Sequence, residues 1–126
     1  MTSGLRSLVR SFATVLVTSV VALPMANELH RLQLWYLSQC DGDWQHSYGV
    51  SIETIDNPGW KLTVELTDTG LQDVDFQTVS VKRSAMDWIH CAVTEVKFRG
   101  RGGPQNLVEI LGVFLGWAEG HQTIRT

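Results

Sequence analysis

The sequence predicts an α+β domain in which an antiparallel four-stranded sheet meander is flanked by an N-terminal and a C-terminal helix, in the order α-β-β-β-β-α. Three observations carry this expectation. Apolar residues recur at helical spacing between residues 29 and 37 and again between 107 and 118. Two runs of strict apolar and polar alternation flank Asp56-Asn57-Pro58-Gly59, a strong turn signal. Two further β-rich runs, about 76–82 and 88–98, lie between that hairpin and the second helix.

Asn27 suits the cap of the first helix, and Glu28 in its first turn favours the positive end of the helix dipole. Leu29, Leu32 and Tyr36, with Trp35 and Leu37, make a broad apolar stripe. The helix is expected to end near Gln39, because Asp41-Gly42-Asp43 combines a glycine free to take positive φ with two turn-forming aspartates.

Tyr48, Val50 and Ile52 alternate with Gly49, Ser51 and Glu53, and after the turn Trp60, Leu62, Val64 and Leu66 alternate with Lys61, Thr63 and Glu65. In the turn, Pro58 presets φ and Gly59 is expected in the left-handed conformation. Asp68-Thr69-Gly70 reverses the chain, with Leu71 and Val74 anchoring a polar connection. The third strand is expected over about Phe76 to Lys82, and Arg83-Ser84 separates it from a fourth running from about Trp88 to Phe98. Within the fourth, Ile89, Cys91 and Val93 share one face, and Ala92, Val96 and Phe98 the other. Arg99 to Gly103 then reads as a glycine-rich loop, and Pro104 as the first residue of the closing helix, which Gly120 ends.

At 126 residues the chain suits one domain with a real core. Residues 1–24 stand apart: Arg6 and Arg10 are followed by an uncharged run from Phe12 to Leu23, shorter than the ~20 residues of a membrane span. Two readings fit, an export leader or an extension upstream of a start at Met25. Either places residues 1–24 outside the fold and 25–126 within a single α+β domain. The first implies a periplasmic or secreted protein, the second a cytoplasmic one.

From Met25 onward the chain carries eight Lys and Arg and 13 Asp and Glu, a formal charge of −5. That sign argues against a nucleic-acid partner, whose affinity rests on cations neutralising phosphates, and favours a basic protein. Asp41, Asp43, Glu53 and Asp56, with Trp44 among them, are expected to form an acidic, aromatic contact surface. Cys40 and His46 suggest a thiol nucleophile and its base, although Cys40 at a helix C-terminus faces the dipole end that disfavours a thiolate. Zinc at Cys40, His46, His90 and Cys91 is opposed by geometry, since strand neighbours such as His90 and Cys91 point to opposite faces. No cofactor or metal is expected, and the cysteines are expected to remain free thiols.

Taken together, Leu34-Trp35-Tyr36, the segment from Gln39 to Trp44, His46-Ser47-Tyr48-Gly49, Asp56 to Trp60, Asp87-Trp88-Ile89 and Gly102 to Leu107 resemble the immunity protein 53 family of bacterial polymorphic toxin systems. The resemblance spans about Asn27 to Ala118. It implies a non-enzymatic protein whose partner is a cognate toxin domain, a basic nuclease among the candidates, neutralised by obstruction of its active site. The alternatives from the residues themselves are a small hydrolase or thiol enzyme using Cys40 and His46, or an exported domain of another role.

Overall fold

A computed structural model describes residues 27–121. The expected leader or extension, residues 1–24, and the expected domain start at Met25 both lie outside the described residues. The chain divides into two units, Met1–Arg31 and Leu32–Thr126. Of the first, the described residues form the opening turn of α1 (Glu28–Gln39), where the Asn27 side-chain oxygen accepts from the His30 N–H at 2.8 Å. The Asn27 cap expected from sequence is therefore present.

The second unit continues α1 and adds α2 (Trp44–Ser47), β1 (Val50–Ile55), β2 (Gly59–Glu65), β3 (Val79–Lys82), β4 (Trp88–Thr94), β5 (Lys97–Gly102) and α3 (Leu107–Gly120). The fold is α+β, as expected, but the sheet has five strands and is not a simple meander: its order is β1-β2-β5-β4-β3, with every neighbouring pair antiparallel. The expected fourth strand is two. Thr94 pairs with Lys97 across a turn of Glu95 and Val96, both at positive φ (56° and 59°), and the chain returns as β5 between β4 and β2. Paired positive-φ residues give the backbone twist that joins two strands through a two-residue loop.

This reversal also changes the facing of Phe98. In an unbroken strand it would lie opposite Ile89, Cys91 and Val93; in the hairpin it stands beside Val93 on the same face. One sheet face thus collects Leu62, Val64, Phe98, Ile89 and Cys91, and α3 packs there through Ile110, Leu111, Phe114 and Leu115. Phe98 is the hub of an aromatic cluster, with ring centroids 5.1 Å from Phe114 and 5.3 Å from Phe76.

Arg99 to Gly103 is not the expected loop. Residues 97–102 form β5, and Gly100 and Gly102 lie on its covered side. A Cβ at Gly100 would come within 2.5 Å of the Ile110 Cγ2, so the glycines are the floor on which α3 rests. Gly59 likewise opens β2 in extended backbone rather than taking the left-handed conformation. A Cβ there would run into the carbonyl of Gly102. The Asn57-Pro58 peptide is cis. Pro104 precedes α3 without entering it; its carbonyl accepts from the indole of Trp60 at 3.0 Å.

The long connection after β2 reaches the far edge of the sheet. Leu66 and Leu71 are buried within it, and the Trp117 indole donates to the Asp75 carbonyl at 3.0 Å, tying the connection to α3. The expected apolar stripe on α1 is only partly used: Leu32 is buried and Trp35 meets Phe114 edge to face at 5.0 Å, while Leu29, Tyr36 and Leu37 are exposed.

Candidate partner-binding surface

The segment after α1 is held by its own polar groups. Gly42 takes φ 101°, the left-handed conformation expected of it. One Asp41 carboxylate oxygen accepts from the N–H groups of Trp44 and Asp43, both at 2.9 Å, and these two bonds hold its carboxyl below the usual aspartate range. The Gln45 side-chain oxygen accepts in turn from the N–H groups of Asp41 and Gly42. A single turn of helix, α2, is the result.

That turn drives Trp44 inward. It is 4% exposed, its indole donates to the Thr67 carbonyl at 2.9 Å, and its ring lies 6.0–6.2 Å from those of Tyr36, Trp35 and Tyr48. The expectation of an exposed Trp44 is therefore corrected: a large ring with an N–H is best placed where the ring is dry and the donor meets a carbonyl. The carboxylates expected beside it are exposed but spread out. Asp41 and Asp43 precede α2, Glu53 is midway along β1, and Asp56 lies beyond the far end of that strand. At about 3.3 Å per residue, Asp56 is roughly 20 Å from Val50.

The cysteines weighed for thiol or metal chemistry are placed differently from each other. Both cysteines are free thiols. The Cys40 thiol donates to the Tyr36 carbonyl at 3.3 Å, whereas Cys91 is buried under α3, and burial pushes its pKa up to about 12. Cys91 faces the core and its neighbour His90 faces out. Among the described residues, no three His, Cys, Asp or Glu side chains converge as metal ligands would.

A second polar cluster braces the start of α3. Buried Asn106 donates to the carboxylates of Asp87 (2.9 Å) and Glu109 (3.1 Å) and accepts from the Trp88 N–H (3.3 Å), while Arg83 bridges the same two carboxylates. Arg83 and Asn106 together hold the Asp87 carboxyl below its usual range. With Met86, Pro104 and Gln105 this cluster borders a shallow depression. Its hydrogen-bonding groups satisfy one another, which is the arrangement of a brace.

The surface that sequence reasoning did not assemble is the sheet face turned away from α3. Register aligns Glu53, Lys61, Arg101, His90 and Ser80 in one row across all five strands. Arg99 and Lys97 occupy the adjoining rows of β5, and Lys82 stands opposite Trp88. None of these side chains is buried. Alternation within each strand was legible, but collecting the cations required the strand order.

The molecule is thus a small α+β protein with one apolar, helix-covered sheet face and one charged, open face. A profile of the family described as Immunity protein 53 matches residues 29–119, nearly the whole described region, and the chain belongs to that family. No curated protein and no solved structure matches it. Among the described residues, no helix is long and apolar enough to cross a membrane.

Proposed function

We propose that this chain is a non-enzymatic immunity protein that binds a cognate toxin domain and obstructs its active site or the path of its substrate. The observation that carries the reading is the family match over residues 29–119, which includes the entire sheet and all but one terminal residue of each long helix. Its polar surface supports association: exposed charges accelerate encounter and select partners by sign, while the apolar core is occupied by folding.

The test is co-expression with the toxic domain encoded beside this gene, scored by cell survival and co-purification. Survival with a stable complex is expected. Survival without a complex would replace obstruction by an indirect or enzymatic route, and death of the cells would remove the immunity reading for that toxin.

A further inference from the structure

We infer that the open face of the sheet receives the toxin and that the toxin presents an acidic protein surface to it, an inference that rests on the immunity reading above. The first argument is the segregation of charge. Lys61, Lys82, Lys97, Arg99 and Arg101 are five of the seven Lys and Arg among the described residues, and they share the face with only two strand carboxylates, Glu53 and Glu65. Counting also Glu95, whose carboxylate sits on Arg99, the face carries +2, whereas the rest of the described chain, with two cations and ten carboxylates, carries −8. A molecule polarised in this way orients an acidic partner toward one side and repels it from the other.

The second argument is that the cations are not all engaged. Lys97 pairs with Glu65 at 3.6 Å and Arg99 with Glu95 at 2.8 Å. Lys61, Lys82 and Arg101 have no carboxylate within 4.0 Å among the described residues, even though Glu53 is the direct neighbour of Lys61 across the β1–β2 ladder. Three uncommitted cations remain on a rigid sheet.

Trp88 supplies the third. It is half-buried on this face, outside the apolar core. The indoles of Trp44, Trp60 and Trp117 each donate to a backbone carbonyl, whereas those of Trp35, which packs on the core, and Trp88, which lies on this face, have no acceptor among the described residues. A tryptophan bordered by Lys82, with Arg101 on a nearby strand, combines the two residue types that most often anchor protein interfaces. Nucleic acid is the less suitable occupant, because Glu53 and Glu65 interrupt the cationic rows and the remaining surface repels phosphate.

The experiment measures toxin affinity and its salt dependence for the full chain and two double variants, K82E/R101E and D43K/D56K. All four sites are exposed, and circular dichroism with a thermal midpoint verifies folding. K82E/R101E is expected to bind roughly 30-fold more weakly or worse, with a flatter salt dependence and lost protection, while D43K/D56K stays within about 3-fold of the parent. Should K82E/R101E fail to fold, K61Q/R101Q is expected to weaken binding in the same direction. Undiminished binding by a folded K82E/R101E, weakening confined to D43K/D56K, or capture of nucleic acid in place of the toxin would each overturn the inference. If the parent itself neither binds nor protects, the immunity reading fails with it, an outcome distinct from all three.

Discussion

The two faces of this sheet are built from the same strands, and adjacent residues serve opposite ends. Phe98 is fully buried against Phe76 and Phe114, while Arg99, the next residue, reaches over the open side to Thr94 and Glu95. Gly100 makes room for Ile110, and Arg101 stands in the cationic row. The period of two in a strand lets one residue set specify packing while the interleaved set specifies charge. The covered face constrains side-chain volume closely; the open face constrains charge and leaves volume nearly free.

Substitution at two neighbours should expose that difference most strongly. Phe98→Ala removes a fully buried ring from the centre of the aromatic cluster and is expected to cost about 3–5 kcal/mol by urea unfolding. Arg99→Ala removes a surface ion pair and a hydrogen bond to Thr94, for which less than about 1 kcal/mol is expected. Comparable losses at the two positions would mean that the open face also holds the fold together.

The faces depend on register, and register at β4–β5 depends on a turn that the sequence disguised. The β1–β2 hairpin was legible because Asn57-Pro58-Gly59 punctuates two clean alternations, and the long helices because their apolar residues recur at helical spacing. Glu95-Val96 offers neither glycine nor asparagine, so β4 and β5 read as one strand. The available signal was the loss of phase between Val93 and Phe98, which an uninterrupted strand does not explain and a two-residue reversal does. Gly100 and Gly102 misled for a related reason: glycine marks close packing as well as loops. Trp44 looked exposed because its neighbours are polar, although two of them fold the segment that buries it.

A substitution of intermediate effect acts on that turn. Val96 is a β-branched residue at φ 59°, a conformation that costs an L-residue about 1–2 kcal/mol. Val96 is 38% exposed, so little packing opposes its removal. Val96→Gly is expected to raise stability by about 1 kcal/mol after the entropy of glycine in the unfolded chain is included, seen as a higher urea midpoint with an unchanged slope. A fall in the midpoint would show that the valine side chain secures the register and outweighs its backbone strain.

The smallest expected effect concerns an acidic residue outside the strands and tests whether such carboxylates also serve the fold. The Asp41 carboxyl is held below its unfolded value by the N–H groups of Trp44 and Asp43. A lowered folded pKa means that the unfolded chain takes up the proton first as pH falls. The stabilisation is therefore complete above the unfolded value of about 4 and is lost as pH falls through the lower folded one. Asp41→Asn keeps an oxygen that can accept the same bonds but cannot titrate, so the variant should lose less stability between pH 5 and pH 2 than the parent. Some acid sensitivity should persist in it, because the Asp87 carboxyl is lowered in the same direction by Arg83 and Asn106. Urea midpoints across that range give the comparison. Equal losses in parent and variant would remove Asp41 from the set of carboxylates that secure the fold, leaving its charge available for a role at the surface alone.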